Sequence, residues 1–113
     1  MGKSKFMKDD LTTSQDLSAA ALSYTTAFTT AFQLEEILFH FDAAVTETIT
    51  ITLDSKNGAS YDTVLRTINV NNATDARFAS GEKFSAGDNI KVACTNANLT
   101  GTCYVTFKAS EPS

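Results

Sequence analysis

Apolar and polar residues alternate with a two-residue period along much of this chain. In the clearest stretch, hydroxyl-bearing residues occupy every second position, with aliphatic residues between them: Thr46, Thr48, Thr50 and Thr52 alternate with Ile49, Ile51 and Leu53. Such alternation predicts a β-strand with one face in the core and the other in water.

A second alternating stretch precedes it. Ile37, Phe39 and Phe41 share one face, and Leu38 and His40 share the other. Because both faces carry large side chains, the pattern predicts a strand that is covered on both sides or lies near an interface.

Turn-forming residues separate these stretches from further strands. Residues 54–58 (DSKNG) favour a hairpin turn, because Asn and Gly tolerate positive φ. The returning strand is predicted at residues 61–70, with three residues on its inward face: Val64, Ile68 and Val70. A loop at residues 69–74, a short strand at residues 76–79 and a turn at residues 80–81 follow in the prediction.

The last two alternating stretches predict a closing hairpin. The turn at residues 85–88 (SAGD) introduces a strand with Ile90, Val92 and Cys94 inward, and residues 96–101 return the chain to Cys103, Val105 and Phe107. We expect Cys94 to lie opposite Cys103, which places all six of these side chains on one face.

The first third of the chain is less periodic. Residues 1–16 are polar and of mixed charge, and we expect an extended N-terminal arm there. Residues 14–22 fit a short helix or a lead-in strand, and residues 24–32 favour a strand. Seven or eight short strands with a turn about every ten residues predict an all-β domain at residues 17–113, an antiparallel, jelly-roll-like β-sandwich.

Length and charge narrow the possible partners. A chain of 113 residues is long enough for one compact core. Its net charge of −4, with only 9 Lys and Arg residues, argues against binding to a nucleic-acid backbone.

No stretch approaches the apolar length of about 20 residues that a membrane span needs, so we expect no membrane partner. The basic start leads into Asp9 and Asp10 and does not resemble a signal peptide, which predicts a soluble protein made in the cytoplasm.

Residues suited to catalysis are few. The single histidine, His40, lies between Phe39 and Phe41, and we expect it to lie on a sheet surface or an interface and not to act as a general base. The loop at residues 54–62 carries Lys56 where a calcium ligand would be needed and lacks a closing Glu. We therefore expect no catalytic residue, no metal and no cofactor, and predict that the protein is not an enzyme.

The two cysteines, Cys94 and Cys103, leave three alternatives open. They would form a cross-strand disulfide, lie buried as free thiols, or contribute to a metal site. The reducing cytoplasm favours free thiols, and two Cys with one His fall short of a zinc site.

Several segments together resemble a family of small tailed-bacteriophage virion proteins over residues 34–107. They are LEEILFHF from Leu34, ETITITLD from Glu47, YDTVL from Tyr61, AGDNIKV from Ala86 and CTN from Cys94. Where such proteins carry an aromatic-rich strand after the third loop, this chain has Asp75-Ala76-Arg77-Phe78 and retains only Phe78.

The resemblance implies a structural part of the virion with no catalytic residues. We expect a capsid decoration or cement subunit that contacts the major capsid protein or other virion proteins and forms a homo-oligomer, a trimer among the options. The basic arm is expected to contact an acidic neighbour, with His40 as a further interface residue; the arm residues are Lys3, Lys5, Phe6 and Lys8. Two alternatives are a head-to-tail connector or tail component, and a glycan-binding adhesion module that uses exposed tyrosines.

Overall fold

The computed structural model describes residues 10–111, and most of these residues lie in β-strands. In chain order the strands are β1 (Leu11–Asp16), β2 (Leu22–Thr25), β3 (Phe32–Asp54), β4 (Thr63–Phe84), β5 (Asn89–Cys94) and β6 (Thr102–Ser110), with a 3-10 turn at Ala59–Tyr61. The strands pair antiparallel throughout this part of the chain. The predicted all-β, antiparallel, sandwich-like fold is confirmed.

Strand β3 organises the fold because both of its edges are paired. One edge pairs with β4, while the other pairs with β6 over residues 33–41 and with β5 over residues 49–54. The two halves of the long β3–β4 hairpin therefore belong to two sheets. We call the sheet with the order β1-β6-β3-β4 sheet I, and the sheet with the order β2-β5-β3-β4 sheet II.

Strand β3 passes from sheet I to sheet II at an irregularity between His40 and Val45. Bulges of this kind bend a strand and increase its twist, so one strand can serve two sheets. The sequence predicts two separate strands here, and the structure joins them into one strand of 23 residues. Residues 42–44 (DAA) contain no Gly or Pro that would end a strand.

The core lies between the two sheets and is built from the inward positions of every strand. Tyr24 of β2 contacts Phe107 of β6 across the sheets, with ring centroids 5.9 Å apart. Full burial of one Phe or Ile side chain stabilises the fold by about 1.5–3 kcal/mol. The largest fully buried side chains are Phe32, Phe39, Phe41, Phe107, Leu17, Leu34, Ile37, Ile49, Ile51, Ile90, Val45 and Val92.

The predicted inward faces of β3, β5 and β6 are confirmed, and one residue of β4 is not. Val64 was expected in the core but is 57% exposed. The register shifts between the pairs Ile51–Arg66 and Thr52–Val64, so Leu65 is an extra residue in the strand. Because side chains alternate with period two, this bulge turns Val64 to the solvent side, where it lies opposite Thr52.

The predicted hairpin between β5 and β6 is wrong. Strand β5 lies between β2 and β3 in sheet II, and β6 lies between β1 and β3 in sheet I. Cys94 is opposite Leu22 and Ile49, whereas Cys103 is opposite Gln15 and Phe41. Alternation places both strands' apolar residues inward but does not identify the neighbouring strand, and here the long β3 pairs with both.

The turn signals within residues 69–81 do not end a strand, and this correction reduces the strand count. The structure has six strands in residues 10–111, not seven or eight, because β4 runs without interruption from Thr63 to Phe84. Asn72 and Gly81 adopt the positive φ values that their residue types favour, 50° and 82°, inside the strand. Both residues lie at register shifts of the β3–β4 ladder, and pairing with β3 continues on either side of each.

The first residues of the described chain belong to sheet I. Strand β1 (Leu11–Asp16) pairs with β6. Of the segment at residues 14–22, residues 14–16 are therefore strand, a turn follows at residues 17–19, and β2 begins at Leu22. The Asp16 carboxylate then accepts hydrogen bonds from the backbone N–H and the hydroxyl of Ser18, at 2.9 and 2.6 Å. This Asx turn directs the chain toward β2. The division between arm and domain at residue 16 stays a prediction.

The segment at residues 24–32 is only partly strand, since β2 ends at Thr25 and β3 begins at Phe32.

Candidate functional site

The outer face of sheet I carries a row of polar and aromatic side chains centred on His40. Strand pairing places Asp75 of β4 on one side of His40 and Tyr104 of β6 on the other. Nδ1 of His40 lies 2.8 Å from Oδ1 of Asp75, and the His40 and Tyr104 rings stack with centroids 6.4 Å apart. The side chains of His40 and Asp75 are 60% and 70% exposed, so water and a partner can reach this row.

The hydrogen bonds at Asp75 favour its charged form. The bond with His40, followed by the 2.8 Å bond that the Thr74 hydroxyl donates to Oδ2, holds the pKa of Asp75 below its usual value. Asp75 is therefore a carboxylate acceptor at neutral pH.

A second row lies on the same face, two residues away from the first along the strands. It contains Arg77 of β4, Leu38 of β3 and Thr106 of β6, which strand pairing places side by side. Nε of Arg77 lies 3.2 Å from a carboxylate oxygen of Glu36. The two rows enclose a shallow, open concavity of about 710 Å³. Its floor is partly apolar, and its rim carries both hydrogen-bond donors and acceptors.

Of the predicted interface residues, His40 lies within the described part of the chain and the four arm residues do not. His40 lies at the centre of the exposed row, as expected for a residue on a sheet surface. The four arm residues Lys3, Lys5, Phe6 and Lys8 lie outside the described residues. Their expected contact with a neighbour, and the interface role of His40, stay predictions.

Glu47 is a buried carboxylate that sequence reasoning missed. It is 3% exposed, and its two oxygens accept hydrogen bonds from the Thr95 hydroxyl at 2.7 Å, the Ala97 N–H at 2.9 Å and the Asn98 N–H at 2.8 Å. Burial raises the pKa of Glu47, but these three hydrogen bonds outweigh burial and hold the pKa below its usual value. The sequence pattern indicated that Glu47 is buried, because it shares the two-residue alternation of Ile49 and Ile51 on the core side of β3.

Glu47 therefore fixes the connection between the two sheets. The connection at residues 95–101 leaves β5 in sheet II and enters β6 in sheet I. Neighbouring residues of β3 bind it as well, since the Thr46 N–H donates to the Asn98 side chain at 2.6 Å and the Thr48 N–H donates to the Thr95 hydroxyl at 2.9 Å. These contacts fix a long connection that has no strand of its own.

Asp88 performs a similar task at the opposite end of β5. Its carboxylate accepts the Lys56 N–H at 2.8 Å and the Ser85 N–H at 3.2 Å. It thereby joins the β3–β4 turn to the β4–β5 turn. The turn predicted at residues 85–88 is present, with Gly87 at a φ of 95°.

Cys94 and Cys103 are both buried free thiols. They lie close to each other across the two sheets, although no ladder pairs their strands, and the Cys94 thiol donates a hydrogen bond to the Thr95 carbonyl at 3.3 Å. Interaction with the Cys94 thiol, together with burial, raises the pKa of Cys103, so this thiol stays protonated at neutral pH. Of the three alternatives for the cysteines, the structure has buried thiols.

Strand β4 has an open edge. Along its 22 residues it pairs only with β3, so its second edge has no strand partner among residues 10–111. The charges on β4 are unevenly distributed. Residues 75–84 carry Asp75, Arg77, Glu82 and Lys83, whereas residues 63–72 carry only Arg66, whose guanidinium lies over the Phe78 ring at 5.5 Å.

Exposed apolar side chains lie at the end of this half, whose one charge is Arg66. Tyr61 and Val64 are 63% and 57% exposed, next to the β3–β4 turn. Natural proteins protect open strand edges with charges, Pro, bulges or a covering element, because an open edge is a template for pairing with another chain. Residues 63–72 have one charge, at Arg66, and register shifts at Leu65 and at residues 71–72, but they contain no Pro, and no strand among residues 10–111 covers them. We call them the open edge.

Between residues 10 and 111, no three His, Cys, Asp or Glu side chains are grouped as ligands for a metal ion. Nor does that span contain a helix of the length and hydropathy needed to cross a membrane.

No protein-family model matches the sequence, and no curated protein is similar to it. Among solved structures, a crystal structure of the Drosophila NLP core matches with a TM-score of 0.46 and 11% identity. The match covers 88% of this chain and 96% of that one, and that structure was described as providing insight into pentamer formation and histone binding. The structure of infectious bursal disease virus Gt strain matches with a TM-score of 0.42 and 13% identity. This chain spans 31% of that viral chain, and 95% of this chain is covered. Both likenesses are too low to bear on function.

Proposed function

We propose that this protein is a non-enzymatic structural subunit of a bacteriophage virion, a decoration or cement protein of the capsid that stabilises the particle by contacts with the major capsid protein. The observation that carries the assembling role is the open edge at residues 63–72 of β4, which we assign to contacts between copies of this chain. The resemblance of residues 34–107 to small virion proteins agrees with it.

The open edge supports an assembling role on physical grounds. Every second N–H and C=O group along it is available for hydrogen bonds to another strand, and burying such groups unpaired would cost free energy. Val64 and Tyr61 add exposed apolar area beside it. A surface with these properties is stabilised when a second chain pairs with it.

The occupant that we propose for the open edge is a second copy of this chain. Pairing of the edge with itself gives a two-fold dimer, whereas pairing with an edge strand of another copy gives a ring such as a trimer. Strands β1 and β2 are the edges available for the second arrangement. In a lattice, many copies joined in this way gain avidity from contacts that are weak individually.

The stiffness of the domain also suits a structural part. Buried or half-buried carboxylates at Glu47 and Asp88 bind the main chain of connections at both ends of β5. Such fixed loops present the same surface in every copy, which a repeating assembly needs.

The first test is whether the protein is in the particle. Mass spectrometry of purified particles of the phage that encodes it should find this chain in a copy number close to that of the major capsid protein. A copy number close to that of a portal or tail protein would favour the head-to-tail alternative and reject the decoration role. Absence from purified particles would reject the virion proposal altogether.

The second test concerns the open edge. We expect Val64→Lys to prevent self-association in analytical ultracentrifugation and incorporation into particles, because a charge on an open edge opposes strand pairing. Val64→Thr, which keeps a β-branched side chain, should associate as the unchanged protein does. Leu99→Lys is the matched control, since Leu99 is equally exposed, at 62%, but lies in the β5–β6 connection. Equal loss in Val64→Lys and Leu99→Lys would reject the edge as the interface.

A further inference from the structure

The concavity on the outer face of sheet I has a floor suited to stacking. Tyr104 is 47% exposed, and its ring lies beside the His40 ring with an interplanar angle of 29°. Leu38, at the centre of the second row, is half-buried and adds apolar surface. Flat aromatic and aliphatic groups of this kind bind ligands that present an apolar face.

The rim of the concavity offers unused hydrogen-bonding groups in several directions. Within residues 10–111, Nε2 of His40 and the hydroxyl of Tyr104 have no hydrogen-bond partner. Each oxygen of Asp75 has one hydrogen-bond partner, His40 or Thr74, and keeps one further acceptor position, while Arg77 uses only its Nε toward Glu36. Carboxylate and guanidinium groups each hold two hydrogen-bonding atoms in a fixed plane, a geometry that matches a pair of neighbouring hydroxyls.

The charges at this site are matched within the protein. Arg77 pairs with Glu36 at 3.2 Å, and Lys108 pairs with Asp10 at 2.9 Å. Asp75 is hydrogen-bonded to His40. Because both cations already have acidic partners, the site holds no excess positive charge for a phosphate or an anionic polymer. A ligand without net charge suits it best.

The shape of the concavity agrees with its chemistry. Its volume of about 710 Å³ lies inside the range of roughly 300–1,000 Å³ that is common for ligand pockets. It is open and shallow, so it suits the end or side of a chain more than an enclosed cofactor.

From these observations we infer that the outer face of sheet I binds a neutral saccharide. Sugars present an apolar C–H face and a ring of hydroxyls at the same time. The C–H face packs on Tyr104, and the hydroxyls bond to Asp75, Arg77 and His40. This binding activity goes beyond the assembly role proposed above and uses a different surface from the open edge.

The test is a titration of the isotope-labelled, full-length protein with neutral disaccharides, followed by backbone amide NMR. The probes are lactose, maltose, cellobiose and diacetylchitobiose. At least one should shift the amide signals of residues 38–40, 75–77 and 104–106. Sialyllactose, which is anionic, should bind more weakly than lactose. If none of the four disaccharides shifts these signals, the inference is wrong.

Variants assign the binding to the concavity. Tyr104→Ala should weaken binding of the responding disaccharide by about tenfold or more, and Asp75→Asn should weaken it by a similar factor. Tyr104→Phe, which keeps the ring, should bind within about threefold of the unchanged protein. Tyr61→Ala, which removes a tyrosine exposed on the β3–β4 turn, should leave the affinity unchanged.

Three outcomes would overturn the inference. Equal weakening by Tyr61→Ala and Tyr104→Ala would place binding elsewhere, as would shifts confined to residues outside the two rows. Greater protection of residues 38–40 and 104–106 from hydrogen exchange in the assembled particle than in the free protein would identify this face as a protein interface. Val64→Lys separates the two proposals, because it should abolish self-association and leave saccharide binding intact.

Discussion

The carboxylate of Glu47 on β3 accepts a hydrogen bond of 2.7 Å from the hydroxyl of Thr95, the first residue after β5. Glu47 also accepts two backbone N–H groups of the same connection. One buried acid therefore holds the segment that carries the chain from sheet II to sheet I. The first two predictions follow from this arrangement.

Replacement of Glu47 should destabilise the fold. Glu47→Gln keeps the size of the side chain but loses the charge and replaces one acceptor oxygen with a donor that faces N–H groups. We expect the free energy of unfolding to fall by about 1–3 kcal/mol, the usual cost of a broken, buried, charge-assisted hydrogen bond. Urea unfolding followed by circular dichroism measures this. Glu82→Gln, at an exposed position of β4, is the control and should leave the unfolding midpoint unchanged.

Glu47 should also make stability depend on pH. Its pKa is lower in the folded protein than the reference value of 4.5, so the folded chain binds this proton more weakly than the unfolded chain does. The stabilising contribution is therefore fully present above pH 4.5 and is lost as the pH falls through the lowered pKa. Thermal unfolding at a series of acidic pH values should show this loss. The Glu47→Gln variant should lack that part of the pH dependence; an identical profile would contradict the role assigned to Glu47.

Two glycines should respond differently to substitution. Gly101 has a φ of 80°, and a Cβ there would lie 3.0 Å from Oδ1 of Asp42, the atom that accepts the Thr102 N–H at 2.7 Å. Gly101→Ala should cost roughly 1–2 kcal/mol for the left-handed backbone and more for disturbing that hydrogen bond.

Gly81 supplies the matched comparison. Its φ of 82° is close to that of Gly101, but a Cβ there would meet nothing within 4 Å. Gly81→Ala should therefore show only the backbone cost. Unfolding midpoints of the two variants test the difference, and a larger loss for Gly81→Ala would contradict it.

The cysteines should behave as protected thiols. Cys94 and Cys103 are free and buried, so a thiol reagent should modify neither at an appreciable rate in the native protein and both after unfolding. Titration with a chromogenic disulfide reagent, with and without denaturant, counts them. Recovery of no thiol after unfolding without reductant would show that the pair is oxidised. Replacement of one partner, as in Cys103→Ser, should destabilise the fold because a polar hydroxyl takes the place of the thiol among apolar neighbours.

The sequence determined which side of each central strand faces the core. Burial of alternate side chains is a local requirement of a half-buried strand, so Ile49 and Ile51 of β3 and Val92 and Val105 of the later strands could be assigned inward from their spacing alone. The hairpin turn at residues 54–58 and the turn at residues 85–88 were predictable for the same reason, since their residue types favour those backbone conformations.

Only the tertiary structure decided which strands are neighbours and where those assignments fail. A period of two says nothing about the partner of a strand, and so Cys94 and Cys103 meet across the sheets and not along one ladder. The bulge at Leu65 exposes Val64, and the irregularity after His40 lets one strand enter both sheets. The row of Asp75, His40 and Tyr104 likewise exists because β4, β3 and β6 lie side by side. These strands are far apart in the sequence, so their pairing depends on the packing of the whole chain.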